Sequence, residues 1–231
     1  MKKIFAILAA IMCFCAANAQ ISPYKQFSPF DGNHFIVDGG VTYSSITEKS
    51  AGYKVLFRAG VGGDIPLFYS HVSFLPSIDF VSKGYTNTAY DANSYVHGEN
   101  VGGYVWNYDV MAMSIEAPLE FGFNIPFNRD LGMQICAGPY FGVGIAGKYS
   151  QSSEEYELES GVSTLEYPTF GGENPRLNRF DFGVCGGLRF IFYFMELKLN
   201  ASIGCLNMNA RPDEAAFKGY SFYGCFGLRI P

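Results

Sequence analysis

Between Met111 and Phe121 the side chains alternate without a break. Met111, Met113, Ile115, Ala117, Leu119 and Phe121 stand on one parity, and Ala112, Ser114, Glu116, Pro118 and Glu120 on the other. A period of two puts the first set on one face of an extended strand and the second on the opposite face. Residues 53–63 repeat it, with Tyr53, Val55, Phe57, Ala59 and Val61 against Lys54, Leu56, Arg58, Gly60 and Gly62. In 131–148, Met133, Ile135, Ala137, Phe141, Val143 and Ile145 oppose Gln134, Cys136, Gly138, Tyr140, Gly142 and Lys148. In 180–190, Phe180, Phe182, Val184, Leu188 and Phe190 oppose Asp181, Gly183, Cys185, Gly187 and Arg189. Soluble sandwiches alternate as well, so length decides. These segments run to about ten residues or more, whereas ordinary strands average roughly five or six and a tilted membrane strand needs about nine to eleven.

The expected fold is all-β: an eight-stranded antiparallel up-and-down transmembrane β-barrel, with the apolar set facing lipid and the small or charged set facing the interior. The eight segments are 34–46, 51–65, 70–84, 108–122, 131–147, 179–190, 196–207 and 218–230. Connections at Asp64–Tyr69, Asn124–Asp130 and Ile191–Met195 are short, and 85–107 and 148–178 are long, which fits short periplasmic turns and long outward loops. Phe68, Tyr69, Phe123, Phe127, Phe192, Tyr193 and Phe194 gather at the short-turn end, where an aromatic girdle belongs. Pro76, Pro118 and Pro139 fall inside these strands, and each is expected to mark a bulge or a strand end.

The N-terminus carries its own message. Lys2 and Lys3 precede an apolar run from Ile4 to Ala16 and then Ala17-Asn18-Ala19, a secretory signal with cleavage expected after Ala19. Cys13 and Cys15 lack the usual Leu-Ala-Gly type of lipobox. The expected organisation is a signal peptide at 1–19, a periplasmic N-terminal segment at 20–33 and the barrel at 34–231, in the outer membrane of a Gram-negative cell. Cleavage removes two lysines and no acids, so the net charge moves from -5 to -7. An acidic chain lacks the basic stripe that nucleic acid requires. With 22 Phe, 16 Tyr and 27 Gly, the composition favours strands and turns over helices.

Candidate chemistry is sparse. His34, His71 and His97 form no metal-ligand spacing, and Gly138–Gly144 lacks the Lys-Ser/Thr pair of a phosphate loop. No catalytic residue, metal or cofactor is expected, and the chain is read as a monomer and not an enzyme. The alternatives are a lipid-modifying outer-membrane enzyme using His97 with Asp91 and Ser94, and a secreted β-sandwich binding protein. Parity puts Arg58, Glu116, Glu120, Arg189, Glu196, Lys198 and Arg229 in one narrow lumen, where they are expected to form an interlocking salt-bridge network. Cys136, Cys185 and Cys225 also point inward and Cys205 to lipid; Cys136 and Cys185 are candidates for a disulfide, with free thiols the default. The loop 85–107 carries Tyr85, Tyr90, Tyr95, Tyr104 and Trp106 among Asn, Ser and Gly, a mixture suited to binding an extracellular protein or glycan. The loop 148–178 carries Glu154, Glu155, Glu157, Glu159, Glu166 and Glu173, suited to calcium or a basic partner.

The signal ending Ala17-Asn18-Ala19-Gln20, the turn entries Ile65-Pro66-Leu67 and Ile125-Pro126-Phe127, and the strand Gly138-Pro139-Tyr140-Phe141-Gly142-Val143-Gly144 resemble the porin-family, PorT-like outer-membrane β-barrels of Bacteroidota, related in architecture to OmpA and OmpX. The resemblance covers nearly all of the mature chain. It implies a small barrel in contact with outer-membrane lipid, inserted by the barrel assembly machinery, with a structural, binding or secretion-accessory role. The last strand alternates Tyr220, Phe222, Gly224, Phe226, Leu228 and Ile230 outward, as an assembly signal does, but ends in Ile230-Pro231 where a terminal aromatic is typical.

Overall fold

The computed structural model describes residues 29–68, 71–91, 95–96, 99–100, 104–155, 163–171, 175–211 and 215–231. The expected signal peptide and most of segment 20–33 lie outside the described residues. The strands are β1 (His34–Ile46), β2 (Ala51–Leu67), β3 (Val72–Asp91), β4 (Tyr95–Val96), β5 (Glu99–Asn100), β6 (Tyr104–Pro126), β7 (Leu131–Glu155), β8 (Ser163–Pro168), β9 (Phe180–Phe192), β10 (Met195–Gly204) and β11 (Gly219–Ile230).

Nine of them form one antiparallel sheet in the order β6-β3-β2-β1-β11-β10-β9-β7-β8, and β4 and β5 pair separately. β6 also pairs with β7, so the order returns on itself as a ring, with β8 attached to the far half of β7. This corrects the expectation of an eight-stranded up-and-down barrel: the sheet has nine strands, and β7 has three neighbours. β7 is 25 residues long; β9 covers Leu131–Val143 and β8 covers Lys148–Ser153. The segments 85–107 and 148–178, expected as loops, are therefore partly strand. The cause is that a backbone ladder satisfies its N–H and C=O groups whatever the side chains are. Pairing continues through Asn107↔Ser152 and Tyr108↔Gln151, past the point where the apolar alternation stops. One large sheet also replaces the two face-to-face sheets that a β-sandwich needs.

The faces are inverted relative to a soluble fold. Phe121 is 53% exposed while its neighbour Glu120 is 0% exposed, and the same contrast separates Phe57 from Arg58, Ile115 from Glu116 and Phe190 from Arg189. An apolar exterior over a charged interior is stable where the surrounding solvent is hydrocarbon. Parity reverses where β6 and β7 slip past one another. The β6–β7 register shifts between Met113 and Ser114, leaving Ile145 as the extra residue, and beyond it Tyr149 is buried while Lys148 is exposed. A bulge reverses which parity faces inward, so Lys148 leaves the interior set in which alternation had placed it.

Pro76, Pro118 and Pro139 behave differently from expectation. Pro76 opposes Leu119, Pro118 opposes Tyr140 and Pro139 opposes Val184, and the registers are the same on both sides of each. The pairing lapses beside Pro76 and Pro118 without a shift. The bulges lie elsewhere, at Tyr53/Arg58 and Met113/Ser114. At the short-turn end Phe68, Phe123, Phe127, Phe192, Tyr193 and Phe194 are exposed, and Tyr69 lies outside the described residues. Tyr193 holds φ at 59° in the two-residue turn closed by Phe192↔Met195. That left-handed conformation is uncommon for a residue with a side chain.

Candidate functional site

The interior of the ring is filled at three levels. Nearest the short turns, Arg229 meets Asp64 at 2.8 Å and Glu196 at 3.7 Å, and donates to the Pro29 carbonyl at 3.1 Å. Gln134 donates to both Asp64 and Asn124, and Asn124 donates to Ser73. Phe30, only 1% exposed, closes this level against Gly132, where a Cβ would stand 2.7 Å from the Phe30 ring. Gly132→Leu is therefore expected to unseat Phe30 at the ordinary overpacking cost of about 1–3 kcal/mol. Limited chymotrypsin digestion should then cut near Phe30 about tenfold faster than in the parent, and equal rates would mean that the ring is not held there.

The middle level is ionic. Arg189 meets Glu120 at 2.5 Å and Glu196 at 3.8 Å. Asn200 donates to Glu120 at 2.6 Å, and Lys198 stands 3.8 Å from Asp38. Arg58 pairs with Asp79 and, at 3.3 Å, with Glu116, and its guanidinium lies 3.9 Å from the centre of the Tyr223 ring. Lys83 meets Glu116 at 2.5 Å and Asp181 at 3.8 Å, and the Tyr140 hydroxyl donates to Asp181 at 2.8 Å. Glycines make room for these groups: a Cβ at Gly60 would overlap the Asp79 carboxylate, and one at Gly227 would stand 2.8 Å from Glu196 Cγ.

All seven charged residues singled out by parity are buried here. The structure adds Asp38, Asp64, Asp79, Lys83 and Asp181, so five cations face seven carboxylates among the described residues. Asp181 already stood in the inward set of its strand, and Asp38, Asp79 and Lys83 share the inward parity of theirs and were legible in the same way. Asp64 was hidden by its assignment to a turn.

The third level is apolar and lies at the long-connection end. Ile46, Tyr85, Val110, Ala112, Tyr149, Phe170, Leu177 and Phe217 form one buried cluster. Phe170 and Leu177 come from the segment after β8, and Phe217 from the segment before β11. Thr169 Oγ1 donates to the Met111 carbonyl at 2.8 Å, and Asn178 donates to the carbonyls of Asn207 and Asn209 at 3.0 Å. Arg176 is buried too, donating to the Tyr85 hydroxyl at 3.1 Å with its guanidinium over Tyr108 and Phe217. Beside this cluster a cavity of about 40 Å³ has Lys83, Glu116 and Asp181 in its lining together with Phe170 and Leu177. At roughly 10–15 Å³ per water, that is room for a few waters.

The cluster corrects one candidate: Tyr85 is 2% exposed and belongs to the interior, not to a binding loop. Tyr90 lies in β3, Tyr95 in β4, and Tyr104 and Trp106 in β6, which places them on strand backbone. Glu154 and Glu155 end β7, and exposed Glu166 of β8 pairs with Lys148 at 3.1 Å; Glu157, Glu159 and Glu173 lie outside the described residues. Of the candidate enzyme group, Asp91 ends β3, and Ser94 and His97 lie outside the described residues. Cys136, Cys185, Cys205 and Cys225 are free thiols, and Cys136 and Cys185 donate to the carbonyls of Gly187 and Gly138, so the candidate disulfide between them is absent. Among the described residues no group of three His, Cys, Asp or Glu side chains is arranged to hold a metal ion.

The family model described as an outer membrane protein beta-barrel domain matches residues 19–206. The chain belongs to this family. Membership accounts for the inverted faces and places the protein in the outer membrane. Comparison with curated proteins gives no match. Among solved structures, Ail, the attachment invasion locus protein of Yersinia pestis, is 12% identical, with a TM-score of 0.41 over 86% of this chain and 99% of its own. Neisserial surface protein A is 12% identical, with a TM-score of 0.37 over 85% of this chain and 98% of its own. The N-terminal β-barrel domain of Pseudomonas aeruginosa OprF is 12% identical, with a TM-score of 0.29 over 85% and 100%.

Proposed function

We propose that this family member is a non-catalytic outer-membrane scaffold with a closed lumen, whose long-connection end faces outward and presents a binding surface. The observation that carries the reading is the three-level filling of the ring: Phe30 at one end, the ion network in the middle and the apolar cluster at the other. An interior occupied in this way leaves no continuous aqueous path, in keeping with small barrels whose interiors are just filled by side chains. Residues 1–19 act as a cleaved export signal in a Gram-negative cell, a reading supported by a family match that begins at residue 19. The ion network serves as structure rather than as a path for protons or ions, because each carboxylate in it faces a cation within 4 Å. The occupant of the outward end is an extracellular protein or glycan contacting the strand extensions that carry Tyr90, Tyr95, Tyr104 and Trp106.

Planar-bilayer recordings of the refolded full chain test the closed lumen. The expected trace shows no stable openings, and long-lived conductance steps would overturn the proposal. Replacing 86–103 with a short Gly-Ser turn is expected to leave gel mobility heat-dependent while abolishing capture of whatever glycan or protein the parent retains from a cell-surface extract. Retained capture would move the binding surface to another part of the molecule.

A further inference from the structure

The outer face of the ring is not uniform. Across β9, β10, β11 and β1 a shallow, widely open groove of about 470 Å³ lies on the apolar side, with Gly186, Ala201 and Gly224 as its small residues, Tyr43, Phe222 and Leu199 beside them, and inward-facing Asn200 and Tyr223 at its floor. These residues are neighbours by register: Gly186 opposes Ala201, Ala201 opposes Phe222, Phe222 opposes Tyr43, and Leu199 opposes Gly224. The groove is continuous with the exposed apolar band, since Val41, Leu199 and Phe226 remain about half exposed around it. In an outer-membrane protein that band is an interface with lipid, so what fills the groove is hydrocarbon.

Its long-connection end is built differently from its middle. Tyr43 stacks on Tyr53 with ring centres 4.4 Å apart and planes 5° apart, Tyr53 meets Tyr220 edge-on at 5.8 Å, and Tyr220 meets Phe222 edge-on at 6.5 Å. The hydroxyls of Tyr220 and Tyr53 are joined at 3.0 Å. Two residues before Tyr220 stands exposed Lys218, whose backbone is tied to Thr47 by two hydrogen bonds. From exposed Lys218, one residue before β11, the alternate residues run from a cation to a tyrosine, a phenylalanine and then the glycine of the groove. This sequence of charge, amphipathic ring and hydrocarbon follows the profile of one bilayer leaflet. A tyrosine arc locked by its own ring contacts also needs little ordering when a ligand arrives.

We propose that this groove is a binding site for an anionic bilayer lipid. One acyl chain lies over Gly186, Ala201 and Gly224, and the phosphate of the headgroup lies at Lys218 beside the Tyr53 and Tyr220 hydroxyls. The charge of Lys218 selects an anionic head over a zwitterionic one, and the groove holds the chain in a fixed place rather than as one of many exchanging neighbours. This goes beyond the closed-lumen reading and does not depend on it.

The test uses the full chain, refolded and delipidated in detergent, and native mass spectrometry with dioleoylphosphatidylglycerol or dioleoylphosphatidylcholine added at equal concentration. The parent is expected to retain one phosphatidylglycerol under activation that strips phosphatidylcholine. A Cβ at Gly224 would meet only Leu199 Cδ2, at 3.5 Å, so a side chain can start there without displacing backbone, and Gly224→Leu with Ala201→Leu puts two larger side chains in the groove. That double variant is expected to lower phosphatidylglycerol retention about tenfold, the loss of one or two buried methylenes' worth of contact. Lys218→Gln is expected to make the two lipids equivalent, and Val61→Leu, on the apolar face of β2, to change nothing. Heat-dependent gel mobility of every variant separates loss of the fold from loss of the site. Equal retention of both lipids by the parent, or unchanged retention by the folded groove-filled variant, overturns the proposal. If the double variant does not fold, Lys218→Gln decides alone: persistent preference for phosphatidylglycerol overturns the site.

Discussion

Replacing Arg58 with alanine is expected to lower the temperature at which the folded gel mobility is lost by more than any exchange at a water-exposed position. Arg58 is the only cation within 4 Å of Asp79 among the described residues, whereas Glu116 keeps Lys83 at 2.5 Å. Removing the guanidinium leaves Asp79 buried and unmatched in an interior where carboxylates already outnumber cations. Breaking a buried pair from one side typically costs about 3–5 kcal/mol, because the remaining charge loses its compensation without regaining water. The loss of stacking on Tyr223 adds to it. Arg58→Met combined with Asp79→Asn removes both charges and is expected to recover most of the stability, since a neutral pair carries no such penalty. Urea titration of the protein folded into vesicles measures the difference. Equal stability of parent and Arg58→Ala would show that Arg58 carries no net role in the network.

Phe121→Arg is expected to be nearly as costly for the opposite reason. Phe121 lies on the outer face against Phe74, with ring centres 5.2 Å apart, and opposes Ala137, the seventh residue of β7 counted from the short turn. A tilted strand rising about 3.3 Å per residue reaches the middle of the hydrocarbon near that depth. An arginine facing lipid at the midplane costs about 2–4 kcal/mol, falling towards zero at the interfaces. Phe123→Arg, two residues nearer the turn, is therefore expected to cost less. The same vesicle titration checks both. A neutral or stabilising Phe121→Arg would mean that this face meets water, which would contradict the inverted faces.

These two positions also show how much of the molecule is legible in its sequence. Glu120 and Phe121 are adjacent in the chain, and alternation alone assigns one inward and one outward because successive side chains of a strand must point to opposite faces. The seven interior charges were found by that rule. The rule failed at Lys148, because the bulge at Ile145 is a matter of how two strands pair and leaves no mark in the composition of either. Tyr85 was missed for a different reason, since its aromatic ring in a polar neighbourhood looks like a binding residue until Arg176, Phe217 and Leu177, distant in the chain, are seen to enclose it.

The division between the two kinds of information has a physical basis. Strand identity, facing and the all-β class follow from local periodicity, and the family match adds the outer-membrane setting; these depend on residues within about ten positions of one another. Strand count beyond the apolar band, the ninth strand on β7, the apolar cluster at the long-connection end and the cation–carboxylate partnerships depend on pairings between segments as far apart as His34 and Arg229. Backbone hydrogen bonding is indifferent to side-chain type, so it extends strands silently through polar sequence such as Ser150-Gln151-Ser152. Charge complementarity is decided only once closure of the ring sets which inward groups share a level.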